Sequence, residues 1–200
     1  MNDGIPAVEE KEHRYLEQLA NEGDWEYGEY AVERDILNQK FHSWVPTFAA
    51  YSATVLLHSI VETQLDAFAE HIGKKQGSKL RVKHIAGNGV ERSATFLDRV
   101  LSIEVKTDSA WSRVQDLQSL RNIIVHRGGK RGQSSEHQNE VDRLVKRYSQ
   151  ALEIRKIDGL HDQIWMSMNL CRDFALDVDG FFERLFKTAG LPNRHLQLDG

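Results

Sequence analysis

The chain has 200 residues, of which 40% are hydrophobic and 28% charged, with three prolines, one cysteine and a formal net charge of −4. This length suits one domain, and the composition is that of a soluble, helix-rich protein. The negative net charge argues against a protein that coats nucleic acid with its whole surface. With Cys171 as its one cysteine, the chain cannot form an intrachain disulfide or a thiolate metal cluster, which agrees with a reducing compartment.

The start of the chain and its least polar run predict a cytoplasmic protein with no membrane partner. Residues 1–12 carry no basic and apolar leader of the kind that directs secretion. The least polar run, residues 44–61, contains Pro46 and His58 and is followed by Glu62. These polar interruptions favour a buried core helix over a membrane span.

Apolar residues recur at helical spacing through most of the chain. Seven segments carry the pattern: residues 8–19, 30–44, 48–68, 90–101, 111–124, 141–152 and 164–185. We expect Gly23 to end the first helix, Val45-Pro46 the second, Gly73 the third and Gly128-Gly129 the fifth. Residues 80–83 alternate like a strand, but we expect a loop or a short turn there.

This periodicity predicts an all-α fold. Because most connections are short, we expect an up-and-down helical bundle. Residues 1–45 are predicted to form an N-terminal helical arm, residues 46–188 the bundle, and residues 189–200 a polar C-terminal tail.

The end of the fifth predicted helix combines three polar groups that suit phosphodiester chemistry without a metal. Arg121 supplies a guanidinium that stabilises negative charge, Asn122 an amide that positions a substrate, and His126 an imidazole that titrates near neutrality. Such groups can remove the 2′-OH proton of RNA, hold the phosphorane and protonate the leaving 5′-oxygen. His126 could act as general base or general acid, and because a helix C-terminus favours positive charge, the general acid is the preferred role.

The spacing Arg-x4-6-His occurs three times in the chain, and the context selects the first. The second match, residues 131–137, crosses a loop-like Gly-Gln-Ser-Ser, and the third, residues 155–161, crosses an Asp-Gly helix end. On a straight helix Arg121 and His126 diverge by about 140°. We expect them to meet because arginine is long and flexible, or because a second chain completes the site.

Two segments free of acidic residues concentrate positive charge, one between His71 and Val90 and one between Leu117 and Ser135. Solvated loops explain such a pattern, but two of them together favour a binding surface for a polyanion. The predicted nucleic-acid-binding residues are Lys74, Lys75, Lys79, Arg81, Lys83, Arg127, Lys130 and Arg131.

The Arg-Asn-x3-His sequence, late in a helical domain, resembles the R-x4-6-H signature of HEPN (higher eukaryotes and prokaryotes nucleotide-binding) domains, many of which are RNA-cleaving toxins. The resemblance covers residues 51–148. It implies a HEPN-type bundle with extra N-terminal helices, and a homodimer whose two motif helices face each other in a shared cleft. Arg121, Asn122 and His126 would then be the catalytic residues.

Glu62 is a second residue to which the resemblance assigns a role. In this family an acid on the preceding core helix often accompanies the motif, so Glu62 is expected to orient Arg121. The alternative is a glutamate that reaches solvent at the edge of an apolar stripe. His58 and Glu62 also have the spacing of metal ligands, but no further pair supports them, and we expect no metal and no cofactor.

One position departs from the family pattern. HEPN toxins that are neutralised by a minimal nucleotidyltransferase typically carry a tyrosine two residues after the histidine, where AMP is added. Gly128 occupies that position here. The resemblance therefore points to a different antitoxin or defence-system partner.

The leading hypothesis is a metal-independent endoribonuclease of HEPN type, a prokaryotic toxin or antiviral effector that acts on RNA. The alternative is a non-catalytic HEPN-like module that binds RNA or protein through the same cleft. A third hypothesis, a nucleotide-binding regulator, is disfavoured because the chain has no phosphate-binding G-x4-G-K-[ST] loop.

Overall fold

The computed structural model describes residues 4–23, 27–157 and 161–191. These residues form a mostly helical fold with one β-hairpin, in agreement with the predicted all-α class. The elements are α1 (Gly4–Glu22), α2 (Tyr27–Gln39), α3 (Val45–Lys75), α4 (Gly89–Val100), α5 (Trp111–Arg127), α6 (Ser135–Arg147), β1 (Leu152–Ile157), β2 (His161–Met166) and α7 (Met168–Thr188). The predicted tail falls largely on residues 192–200, outside the described residues.

The helix predicted to end at Val45-Pro46 continues instead, so this prediction is wrong. A π-helical turn, Lys40–Trp44, joins α2 to α3, and the backbone N–H of Val45 donates to the carbonyl of Lys40. Proline lacks an N–H and crowds the carbonyl four residues before it. A wider turn immediately ahead of Pro46 relieves both problems, and the helix continues across the predicted boundary between arm and bundle.

The predicted stop at Gly73 is also wrong, since α3 continues to Lys75. Gly73 is buried, and a Cβ built on it would lie 3.1 Å from the ring of Phe96 on α4. The glycine therefore lets an aromatic ring approach the helix backbone. Residues 80–83 form no strand, as predicted, and a 3-10 turn spans Val82–His84.

A β-hairpin occupies the end of the predicted sixth helix and the start of the predicted seventh, so both predictions are wrong there. α6 ends at Arg147, and β1 pairs antiparallel with β2 so that Leu152 lies opposite Met166. Tyr148 and Leu152 stand at helical spacing from Leu144, which made residues 141–152 look like one helix. In the structure Leu152 instead begins a strand whose side chains enter the core.

The helix directions depart from the predicted up-and-down order. α4 runs in the same direction as α3, because Ser93 Oγ lies 3.2 Å from Asp66 Oδ1 and, further along both helices, Phe96 packs on Gly73. Residues 76–88 form a connection long enough to return along α3. α5 then runs antiparallel to α3, since Gly129 at its end contacts Tyr51 near the start of α3.

The core surrounds α5, whose Leu117, Leu120 and Ile123 are completely buried. The arm packs on itself and on the π-helical turn, where Lys40 Nζ lies 2.9 Å from Glu12 and His42 Nε2 lies 3.0 Å from Glu9. The division of the chain into an arm and a bundle stays a prediction.

The continuous helix Gly28–Lys75 is long and apolar enough, by length and composition, to cross a membrane. Of its most apolar stretch, 33% is buried inside the fold, and the core helix of a soluble protein passes the same test. The structure is therefore compatible with a soluble protein, and a cytoplasmic location stays a prediction.

Candidate functional site

Two glycines end the motif helix α5, as predicted, and attach it to the hairpin. Gly128 adopts a left-handed conformation with φ of 62°, and its N–H donates to the carbonyl of Ile124 at 2.9 Å. The bond from the left-handed Gly128 to Ile124 is that of an αL helix C-cap, and the N–H of Gly129 donates to the carbonyl of Ile123 at 3.1 Å. The carbonyl of Gly129 then accepts from the N–H of Ile164 on β2 at 2.9 Å.

The close approach of the Tyr51 ring to the end of α5 requires a glycine at position 129. A Cβ on Gly129 would lie 2.7 Å from two carbons of the Tyr51 ring, and the Tyr51 hydroxyl donates to the carbonyl of Ile164. Burial, opposed by a hydrogen bond with Gln163, raises the pKa of Tyr51 to about 12. The tyrosine is therefore a neutral structural donor that holds α3, the end of α5 and β2 together.

The three motif side chains meet within one chain. Arg121 Nη1 donates to Asn122 Oδ1 at 3.1 Å and lies 3.3 Å from His126 Nε2. Of the two routes to convergence, the reach of a long arginine is therefore sufficient. His126 is exposed, whereas Arg121 and Asn122 are half-buried.

The direction of this hydrogen bond bears on the role of the histidine. A guanidinium has donors and no acceptor, so His126 Nε2 must be the acceptor and carries no proton in this arrangement. An imidazole whose Nε2 carries no proton suits a general base better than a general acid, once the contact with Arg121 is exchanged for the substrate hydroxyl. The geometry thus favours the opposite role to the one expected from the helix C-terminus.

His58 of α3 lies beneath Arg121 and was considered at the sequence level only as a metal ligand. It is 3% exposed, and neither ring nitrogen has a hydrogen-bond partner among the described residues; Arg121 Nε is likewise buried without one. Burial lowers the pKa of His58, the Glu62 carboxylate partly offsets this, and the Arg121 charge adds to the decrease. The lowered pKa favours a neutral ring next to the Arg121 charge.

Glu62 lies beside His58 and forms no ion pair with Arg121 within the described part of the chain. Its Oε2 is 3.8 Å from His58 Nδ1, and its side chain borders Gly89 together with Gln118. The orienting role expected of Glu62 toward Arg121 therefore stays a prediction. In the described ranges, no three or more His, Cys, Asp or Glu side chains are grouped so that they could hold a metal ion.

A cleft of about 540 Å³ opens between the end of α5 and the start of α6. The motif residues Asn122 and His126 line one side. The facing residues are Glu136, His137 and Glu140, with Arg127 between the two sides and 2.6 Å from Glu140. The motif therefore borders a space of the size that small ligands occupy.

A buried aspartate fixes α6 against α5, and sequence reasoning missed it. Asp116 is 1% exposed and accepts from Tyr148 at 2.6 Å, Arg143 at 2.5 Å and Arg147 at 2.8 Å. Burial, and secondly the hydrogen bond with Asp116, raises the pKa of Tyr148. An aspartate directly before Leu117 in an apolar stripe was the available signal, since buried carboxylates require partners.

The structure separates the two basic segments. Lys74 lies about 24 Å along α3 from His58, the residue beside Arg121, at a rise of about 1.5 Å per residue, so Lys74 and Lys75 are remote from the motif. Its Lys74, Lys75, Lys79 and Lys83 are exposed, whereas Arg81 is paired with Glu70.

In the second basic segment, carboxylates from other secondary-structure elements pair with Arg127 and Arg131. Arg127 pairs with Glu140, and Arg131 pairs with Asp142 at 2.5 Å and Asp162 at 3.4 Å. Lys130 is exposed. A stretch without acids in the sequence is therefore not free of acids in space.

Comparisons of the chain with known protein families, curated proteins and solved structures found no match. The resemblance to the HEPN family therefore rests on the motif residues themselves and stays a prediction.

Proposed function

We propose that the chain is a metal-independent endoribonuclease of HEPN type that acts as a toxin or antiviral effector. The observation that carries the proposal is the convergence of Arg121, Asn122 and His126 at the edge of a cleft open to solvent. A guanidinium, an amide and an unprotonated imidazole nitrogen within hydrogen-bond range are the groups that RNA transesterification needs.

The proposed reaction uses these groups as follows. His126 removes the proton from the 2′-OH, whose oxygen attacks the adjacent phosphorus. The Arg121 guanidinium and the Asn122 Nδ2 hold the phosphorane, because Asn122 Oδ1 is already occupied by Arg121 and leaves the amide donors available. The bond from phosphorus to the 5′-oxygen then breaks and that oxygen takes up a proton, which leaves a 2′,3′-cyclic phosphate and a free 5′-hydroxyl.

We propose further that the protein acts as a homodimer. Three large apolar side chains near the level of the motif are exposed, namely Leu56 at 63% and Ile60 at 47% on α3, and Val125 at 47% next to His126. Because α5 is antiparallel to α3 and reaches Tyr51 at its end, Val125 and Leu56 lie at a similar height. A partner packed there would border the motif helix.

Sedimentation of the wild type and of Leu56→Glu tests the dimer. The wild type should sediment as a dimer at micromolar concentration, and a charge at a buried contact should shift it toward monomer. Leu176→Glu is the matched control, since Leu176 of α7 is 66% exposed. A dimer broken by the control and not by Leu56→Glu would contradict the proposed face.

The alternative, a non-catalytic module, also has one observation in its favour. The carboxylates that pair with Arg127 and Arg131 reduce the attraction of the cleft region for RNA. A module that binds protein would tolerate this balance better than a nuclease.

Single-turnover cleavage of RNA in the presence of a chelator distinguishes the two functions. We expect wild-type cleavage to persist without divalent ions and His126→Ala to lose it. His71→Ala is the control, because His71 is exposed on α3 outside the cleft. No cleavage by the wild type, with RNA or a protein still bound, would support the non-catalytic module.

A growth assay bears on the toxin role. Induced wild-type chain should arrest growth, and the His126→Ala chain should not. Gly128 has φ of 62°, a conformation that a tyrosine adopts only with strain. We therefore propose that an antitoxin or a defence partner restrains the toxin without modifying residue 128.

A further inference from the structure

His137 faces the motif across the cleft. It lies in the first turn of α6, on the side opposite Asn122 and His126. In the sequence this histidine belongs to the second Arg-x-His match, whose arginine is turned away to Asp142 and Asp162. The histidine itself is exposed and free of any such pairing among the described residues.

The backbone around His137 is held in a defined position. Its N–H donates to the side chain of Ser134, the N-cap of α6, at 3.2 Å. A Cβ on Gly132, where φ is 85°, would lie 2.8 Å from the His137 Cβ and 3.0 Å from its Nδ1. The loop thus packs directly against the ring, and the buried Asp116 ties α6 itself to α5.

The proposed reaction leaves one proton-transfer role open. His126 Nε2 is an acceptor in this structure and takes the 2′-OH proton, so a different group must protonate the leaving oxygen. The cleft is lined by one amide, one guanidinium, two carboxylates and two imidazoles. Of these, only a second imidazole can supply a proton readily near neutral pH.

Resting on the function proposed above, we propose that His137 is the general acid of this ribonuclease and a catalytic residue in its own right. The 2′-oxygen forms a bond to phosphorus as His126 accepts its proton. The bond from phosphorus to the 5′-oxygen breaks, and that oxygen receives a proton from the His137 imidazolium. The two histidines return to their starting states by proton exchange with water.

The test compares two substrates that differ in their need for an acid. A dinucleotide has a poor alkoxide leaving group, whereas a nucleoside 3′-(p-nitrophenyl phosphate) releases a phenolate that departs without a proton. His137→Ala should lower the rate on the dinucleotide by about 10²–10⁴-fold. On the aryl ester its rate should stay within about threefold of the wild type, as expected when acid catalysis is not needed.

The other variants separate this inference from the proposed function. His126→Ala should lose activity on both substrates because the base is needed in each, and His71→Ala should lose it on neither. Equal losses by His137→Ala on both substrates, or no loss on the dinucleotide, would overturn the role of His137 and leave the ribonuclease standing. A wild type inactive on both substrates would overturn the ribonuclease and the general acid together.

Discussion

The two ends of α3 carry the two basic segments, and they differ in how their charges are balanced. At the end near Lys75 the lysines are exposed, and Arg81, which follows α3, is paired with Glu70 of α3. At the end near Tyr51, the arginines after the motif are paired with carboxylates from α6 and β2.

The comparison shows that similar sequence patterns have different physical roles. At the motif end the charges connect secondary-structure elements, and they fix the position of the cleft. At the lysine end they remain exposed, and Lys74 lies about 24 Å along α3 from His58, the residue beside Arg121. The proposed cleavage site and the lysines predicted to bind RNA therefore lie in different regions, and each of the following experiments acts on one of them.

The largest effect is expected from the motif. Arg121→Ala, Asn122→Ala and His126→Ala should lower single-turnover cleavage by about 10²-fold or more, since they act on charge and protons in the transition state. RNA affinity should change by less than about tenfold, because ground-state contacts are largely kept. A variant that lost affinity and cleavage to the same degree would move the motif into the binding surface.

The next largest effect is expected on stability, from the two glycines that attach the end of α5 to the hairpin. Gly128→Ala should cost about 1–2 kcal/mol of unfolding free energy, because its φ is positive and its surroundings are open. Gly129→Ala should cost about 1–3 kcal/mol more, because its Cβ would overlap the Tyr51 ring. Urea unfolding of both variants measures the difference, and equal losses would contradict the close contact with Tyr51.

Between the two ends, His58 should make the stability depend on pH. Burial lowers its pKa in the folded state, so the unfolded state binds a proton first as the pH falls. The unfolding free energy is therefore not reduced by His58 above about pH 6.5. Below that pH it falls by at most about 1.4 kcal/mol per pH unit because of this residue. His58→Leu should flatten the profile of unfolding free energy below pH 6.5, whereas the exposed His71→Leu should leave it unchanged.

The smallest effect is expected at the lysine end. Lys83→Gln should reduce the slope of log affinity against log salt by up to about 0.7–0.9, the value for one lost phosphate contact. Arg81→Gln should change the slope less, because Glu70 already balances that charge. If neither variant, nor neutralisation of Lys74, Lys75 and Lys79, changes the slope, this end does not bind RNA.

Features set by neighbouring residues could be predicted from the sequence. The glycine pair after His126 signalled the end of α5, since a helix C-cap needs only local hydrogen bonds and a left-handed residue. The hairpin from Leu152 to Met166 could not, because Tyr148 and Leu152 fit both helical and strand spacing. Only the burial of Leu152 in the common core decides between them.

The candidate site likewise has features that could be predicted from the sequence and features that could not. By itself the sequence determined the all-α class and the set of motif side chains, since periodicity and residue chemistry are local properties. Tertiary structure alone decided that α4 runs with α3, that Asp142 and Asp162 balance Arg131, and that His137 faces His126 across a cleft. These pairings join residues of different elements, and no interaction along the chain specifies which of them come together.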